Sequence, residues 1–224
     1  MKTIIEVKNL KKSFTDGPVV THVLKGIDFH VNEGEFVAIM GRSGAGKSTF
    51  LYQMSLLDTP TSGSISLNGR NTDHLTDDEK TELRLIELGY VFQDFSLLPE
   101  LTAVENIMIP LLMQGISIDE AKEKAMQALV SVNLDHRANN LPSELSGGEQ
   151  QRVSVARAIT HHPRILFADE PTANLDSFSS GHVIEIFKKL NKEEGLTIVM
   201  VTHEEEYGKI ADRVVRLQDG LVVK

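Results

Sequence analysis

Cysteine is absent from all 224 residues. That absence excludes a disulfide framework, a thiolate zinc site and a cysteine nucleophile, and it fits a reducing compartment. Long apolar runs are missing as well. No stretch approaches the roughly 20 residues needed to cross a bilayer, so any membrane role is expected to come through a partner. The opening Met1-Lys2-Thr3-Ile4-Ile5-Glu6-Val7 lacks the apolar core of a secretory signal. Basic charge is in deficit: 23 Lys and Arg face 32 Asp and Glu, a formal charge of −9. With no global basic field to draw in polyanions, nucleic acid is not expected as a partner. Neither an internal repeat nor a low-complexity tract is visible. What remains is 41% hydrophobic and 25% charged residues, the balance of an ordinary globular protein. One domain over residues 1–224 is expected, with room for an inserted lobe.

The first third reads as β-structure. Short β-prone runs, Ile4 to Val7, Val19 to Leu24 and Ile27 to Val31, are separated by Asp16-Gly17-Pro18 and Lys25-Gly26. Phe36-Val37-Ala38-Ile39-Met40 is continuously apolar, as befits a strand buried on both faces of a parallel sheet. Thr49 to Met54 and Thr76 to Leu88 read as helices, the second with Asp77 and Asp78 in the first turn, where negative charge suits the helix dipole. Gly89 to Gln93 reads as a strand. From about 94 to 160 the pattern is mostly helical, with Ala121, Ala125, Ala128, Leu129 and Val132 on one stripe. Buried strands return at Arg164 to Asp169 and Thr197 to Val201. Between them lies a helix marked by Val183, Ile184, Ile186, Phe187 and Leu190 and stopped near Gly195. Arg213 to Leu217 and Leu221 to Val223 close as a hairpin over Asp219-Gly220. The whole is α/β: a mainly parallel sheet, an antiparallel N-terminal portion and a helical insert.

Strand, glycine loop and helix meet at Gly41-Arg42-Ser43-Gly44-Ala45-Gly46-Lys47-Ser48-Thr49, which carries the full phosphate-binding pattern Gly-x4-Gly-Lys-Ser. Glycines let the backbone approach phosphates, and the helix N-terminus adds partial positive charge. Lys47 is expected on the β- and γ-phosphates of ATP and Ser48 on Mg²⁺. Ile165 to Asp169-Glu170 is an apolar strand delivering two carboxylates at its end. Asp169 would orient Mg²⁺ and Glu170 would polarise the attacking water. His203 follows the strand Thr197 to Val201, so it would lie beside them if the sheet is parallel. There it could contact the γ-phosphate and hold Glu170 or the water. His22, His30, His74, His136, His161, His162 and His182 show no metal-ligand spacing and read as structural or surface residues. Ser146-Gly147-Gly148-Glu149 opens another helix and offers a hydroxyl and free amides to an anion.

Leu145-Ser146-Gly147-Gly148-Glu149-Gln150-Gln151-Arg152 resembles the signature motif of the ATP-binding cassette (ABC) ATPases, and its place between the phosphate loop and the Asp-Glu strand matches theirs. The resemblance implies a nucleotide-binding cassette that hydrolyses ATP with Mg²⁺. It also implies two cassettes stacked head to tail as a homodimer, each signature closing over the other's ATP. Gln93 corresponds to the glutamine that senses γ-phosphate and Mg²⁺ beside the membrane partner, and Asn174-Leu175-Asp176 to the loop at the dimer seam. Phe14 sits where the family places an aromatic ring against adenine, more often tyrosine.

Val91-Phe92-Gln93-Asp94-Phe95-Ser96-Leu97-Leu98-Pro99, Leu101-Thr102-Ala103-Val104-Glu105-Asn106-Ile107 and Ala168 to Asp176 are similar to the lipoprotein-releasing, macrolide-exporter and cell-division cassettes. The resemblance implies a membrane-spanning permease as partner, a peripheral place on the cytoplasmic face of the inner membrane, and export or extraction of a lipoprotein, peptide or drug. Phe95, Leu97, Leu98 and Leu101 would suit docking of a partner helix. One departure is Ser55, near which relatives carry a glycine, so helix packing there is expected to differ. With the sequence ending at Lys224, the C-terminal regulatory domain of some importer cassettes is not expected, which weighs against a sugar-importer type. The competing reading is a soluble ABC ATPase not coupled to transport.

Overall fold

The computed structural model describes residues 2–223. Ten strands form two sheets: β1 (Thr3–Asp16), β2 (Val19–Asn32), β3 (Phe36–Met40), β4 (Ser62–Leu67), β5 (Arg70–Asn71), β6 (Leu88–Val91), β7 (Ile165–Asp169), β8 (Thr197–Val201), β9 (Arg213–Gln218) and β10 (Leu221–Val223). The helices are α1 (Lys47–Met54), α2 (Asp77–Glu87), α3 (Ala103–Met113), α4 (Ile118–Ser131), α5 (Gly147–Ile159), α6 (Ser177–Glu194) and α7 (Glu205–Gly208).

One sheet is antiparallel in the order β2-β1-β4-β5. The other runs β10-β9-β3-β8-β7-β6 and is parallel except for the β9-β10 hairpin. The N-terminal portion differs from its sequence pattern. Instead of three short strands, β1 and β2 are 14 residues each and pair along their length. Lys25-Gly26 does not break β2. Gly26 takes φ +107° and Asn9 φ 46°, and the β1-β2 register shifts around Leu10. A bulge of this kind absorbs an extra residue and bends the strands without ending them.

Alternation along the parallel strands sorts their side chains. Val37, Ile39, Ile165, Phe167, Val199 and Val201 face α1 and the antiparallel sheet, so α1, with Phe50, Leu51 and Met54, is sandwiched between the two sheets. Phe36, Leu166, Ala168, Ile198 and Met200 face Val155, Ile159, Val183 and Phe187 of α5 and α6. A third cluster joins α3 and α4, through Ile107, Leu111, Ala125 and Leu129, to Val153 and Ala156 of α5. Helix starts follow capping chemistry. Thr76 and Thr102 form capping boxes with Glu79 and Glu105, Ser117 caps α4, and Asp176 caps α6.

Strand order arranges the chemistry. The loops after β3, β8, β7 and β6 emerge side by side from the carboxyl edge of one parallel sheet, the edge where such sheets place ligands.

Candidate nucleotide site

The loop after β3 owes its path to its glycines. A Cβ on Gly41 would sit 2.2 Å from the Leu217 carbonyl oxygen of β9, so only glycine passes there. Gly44 and Gly46 take φ of +77° and +96°, and Gly46 precedes α1 without any side-chain cap. No acidic residue occupies the first turn of α1. The amides at this helix start are therefore left to an anion from outside. Arg42, Ser43 and Gly44 are exposed, whereas Lys47 is buried, with Ser48 and Thr49 partly so.

The carboxylates reach the loop from β7. Asp169 is 3% exposed and accepts a 3.0 Å bond from Ser48 Oγ. Burial lifts its carboxyl above the ordinary range and the adjacent Glu170 adds to this, while the Ser48 bond and the Lys47 charge oppose it. Glu170 lies just past the strand, with φ 43° and its N–H donating to the Val201 carbonyl. That left-handed turn brings its carboxylate round to the loop, where simple strand alternation would have sent it the opposite way from Asp169. Lys47 Nζ lies 3.4 Å from Glu170 Oε1 and 3.3 Å from the Arg42 carbonyl. His203 Nδ1 lies 3.2 Å from Glu170 Oε2. Lys47, Glu170 and His203 line a cleft of about 880 Å³ whose lining does not include the Ser48–Asp169 pair, with Arg216, Leu217, Gln218 and Asp219 among its other walls. Sequence reading missed those residues, because only the parallel pairing of β9 with β3 puts them there.

Other expected site residues lie outside this cleft. Phe14 is 47% exposed and pairs with Thr21 of β2. The same strand packs Val23 and Leu24 over Gly46, 3.2 and 3.1 Å from where a Cβ would be. Gln93 is exposed beyond β6, and its carbonyl accepts a 3.1 Å bond from Asn174 Nδ2. Ser146 caps α5, but its hydroxyl is committed to Glu149 Oε2 at 2.8 Å, and Glu149 also receives Arg137 Nε at 3.0 Å. Burial pushes the Glu149 carboxyl up, yet these bonds and that of the Ser146 N–H more than offset it and hold the carboxyl low. A Cβ on Gly147 would meet Phe95 and Leu175 at 3.7 and 3.8 Å, and one on Gly148 would strike Ser179 Oγ at 2.5 Å. The signature start is thus packed against the Asn174-Leu175-Asp176 loop.

A second, largely apolar cleft of about 490 Å³ lies between α2, β6, α3 and α5, with Leu57, Tyr90, Leu98, Met113, Arg84 and Arg157 in its walls. Of the four residues expected at a docking surface, only Leu98 lines it. Leu97 packs into the helical core, Phe95 leans on Gly147, and Leu101 turns its carbonyl to the buried Asn106. No Asp or Glu lines this cleft. Arg157 donates instead to the carbonyls of Ser96 and Phe95, at 2.6 and 3.0 Å.

The family model described as ABC transporter matches residues 24–173. The chain belongs to the ABC transporter family. As an ABC ATPase it binds and hydrolyses ATP. It is 47% identical to the lipoprotein-releasing system ATP-binding protein LolD of Aquifex aeolicus, across 100% of this chain and 97% of that protein. It is also 44% identical to the macrolide export ATP-binding/permease protein MacB of Syntrophobacter fumaroxidans, across 98% of this chain but 31% of that one. The chain therefore spans about a third of the macrolide-export relatives it matches. Among solved structures, the ABC cassette MJ0796, dimeric in a post-hydrolysis state with ADP and Pi, superposes with a TM-score of 0.93. That match is at 40% identity and covers 99% of this chain and 97% of the other. Among the described residues no helix is long and apolar enough to cross a membrane.

Proposed function

We propose that this cassette is the ATP-hydrolysing subunit of a membrane transport complex, held peripherally at the cytoplasmic face of the inner membrane by a membrane-spanning permease. It would drive export or extraction of a lipoprotein, peptide or drug-like substrate. The observation that carries the reading is the contact of Glu170 with both Lys47 and His203 in one cleft, from which Ser146, Gly147 and Gly148 are absent, beside the hydrogen-bonded Ser48–Asp169 pair. Residues 1–224 act as one cassette, with residues 94–160 as its helical subdomain.

The residues suit their ligands. The uncapped start of α1 and the Lys47 ammonium match a triphosphate. A hydroxyl and a buried carboxylate in contact, Ser48 and Asp169, match the hard oxygen donors that Mg²⁺ prefers. When bound, Mg²⁺ neutralises charge on the phosphates. The amides of residues 42–49 and Lys47 bind and orient the γ-phosphate, drawing the ammonium from Glu170. Glu170 accepts a proton from water as its oxygen bonds to the γ-phosphorus and the bond to ADP breaks. His203 holds Glu170 and the γ-phosphate in line. Gln93 reports the filled site towards the partner, and Phe14 stacks on adenine.

A second copy would bring Ser146, Gly147, Gly148 and the Glu149 amide over the γ-phosphate, making the homodimer the working unit. The permease would seat an apolar helix in the Leu98 cleft. An acidic side chain on that helix would answer Arg84 and Arg157.

Glu170→Gln tests the site. Turnover should fall about 10²- to 10⁴-fold, the usual weight of a general base, while ATP still binds and drives a dimer visible by size-exclusion chromatography. Full turnover in this variant, assayed with its membrane partner, would refute the assignment. Capture of only soluble partners from detergent-solubilised membranes would favour the uncoupled ATPase.

A further inference from the structure

One face of the Phe14 ring is covered by an ammonium that the hydrolytic reaction does not use. Lys12 Nζ lies 4.9 Å from the ring centroid, within the range of cation–π attraction. The same nitrogen donates to Asp58 Oδ1 and to the Thr59 carbonyl, both at 2.7 Å. An ammonium has three N–H donors. Two hydrogen bonds and one ring face therefore use its full capacity, and the side chain is only 11% exposed.

Asp58 extends the contact inward. Its other oxygen accepts from Gln53 Nε2 at 2.8 Å, and Gln53 is fully buried on α1, the helix that begins at Lys47. Burial raises the Asp58 carboxyl, but the bonds from Lys12, Thr59 and Gln53 outweigh it and keep the group below the usual carboxylate range. The carboxylate therefore stays charged at neutral pH, and so does its hold on Lys12.

Phe14 has no hydroxyl with which to fix its own ring, and it is half exposed. A ring so placed would sample several rotamers, each with its own entropy to lose when a base stacks on it. The ammonium removes that freedom and leaves only the opposite face open. We propose that Lys12 is a positioning residue for nucleotide binding. It sets the Phe14 ring as a one-sided platform for the adenine base and ties that platform, through Asp58 and Gln53, to the helix that carries the phosphate loop. The inference rests on the reading of Phe14 as the base platform.

The test separates base from phosphate recognition. Lys12→Met keeps the aliphatic stem and removes the charge. In the full-length protein it should raise KM for ATP roughly three- to tenfold, the scale of a partly desolvated cation–π contact, with kcat within about twofold. Competitive inhibition by inorganic tripolyphosphate, which has no base, should not change. Lys12→Arg should restore KM. Phe14→Ala should raise KM by itself, and Lys12→Met should add nothing in that background. Should Lys12→Met fold poorly, Asp58→Asn, which loosens the ammonium from α1, must raise the ATP KM without altering tripolyphosphate inhibition. An unchanged KM in the Lys12 or Asp58 variant alongside a raised one in Phe14→Ala overturns the role of Lys12 and leaves the platform standing. A shift equal for ATP and tripolyphosphate reduces Lys12 to a structural staple. No effect of Phe14→Ala removes the platform itself.

Discussion

Gly148→Ala tests the packing of the signature helix through the sign of a stability change. Gly148 is the second residue of α5. In an open helix, replacing glycine by alanine stabilises by about 0.5–1 kcal/mol. Here the new Cβ would lie 2.5 Å from Ser179 Oγ and 2.7 Å from Ser179 Cβ, against an ordinary carbon contact of about 3.5–4 Å. Turning the hydroxyl away cannot relieve the second contact. Nor is Ser179 free to retreat. Its Oγ donates to Asp176 Oδ2 at 2.8 Å and its N–H to Asp176 Oδ1 at 3.0 Å, holding the start of α6. Overpacking costs about 1–3 kcal/mol, and a strained or broken Ser179 bond about 1 kcal/mol more. After subtracting the helical gain, Gly148→Ala should lose about 1–3 kcal/mol. Equilibrium urea unfolding would read this as a lower midpoint at unchanged slope. Ser179→Gly in the same background removes both obstructing atoms, so the pair should show a favourable coupling of about 1 kcal/mol or more. A Gly148→Ala protein that is more stable than its parent, or a pair that is simply additive, refutes the tight seating of the signature on α6.

Asp169→Asn should raise the melting temperature near neutral pH even as Mg²⁺-dependent turnover collapses. Burial makes the folded protein hold the Asp169 proton to higher pH than the unfolded chain does. Its ionisation therefore erodes stability as pH rises from the ordinary carboxylate value through the raised one. Calorimetry across pH 3–7 should show the gain shrinking as pH falls, and a gain independent of pH would contradict the account. Arg157→Met should cost about 2–4 kcal/mol, since it withdraws two charge-assisted bonds from the Phe95 and Ser96 carbonyls. Those two residues hold consecutive left-handed conformations, φ 59° and 51°. Hydrogen exchange should accelerate at residues 95–98 and stay slow in β3, β7 and β8; protection unchanged at the loop would remove the strut role.

What the sequence reveals about this site depends on how far along the chain each piece reaches. Gly41 to Ser48 is legible because the glycines, the lysine and the flanking strand and helix are contiguous. Asp169-Glu170 is legible at the end of an apolar strand, and the capping box lies inside Ser146 to Glu149 itself. The turn of Glu170 towards Lys47 is not legible, since it depends on a left-handed φ fixed by a bond to Val201 on the next strand. Nor is the true length of β1 and β2, because Lys25-Gly26 carries the same signature whether it makes a turn or a bulge. The second cleft draws Leu57, Arg84, Tyr90, Leu98 and Arg157 from separate segments, and no local pattern announces such a meeting. Ser55 shows the limit differently. The left-handed residue at the end of α1 is its neighbour Leu56, φ 61°, a conformation that a leucine does not announce in the sequence.

Helix α5 has a consequence for how this protein can be damaged. Val153 and Ala156 belong to the core of the helical layer, while Val155, Ala158 and Ile159 belong to the core beneath β7 and β8. A single helix is the party wall of both rooms. If α3 and α4 were stripped away, one side of that wall would face water, and losing the sheet would bare the other. A protease that nicks either half should therefore leave no durable half-cassette, only an intact chain or small peptides. No lasting fragment would then accumulate beside the intact chain.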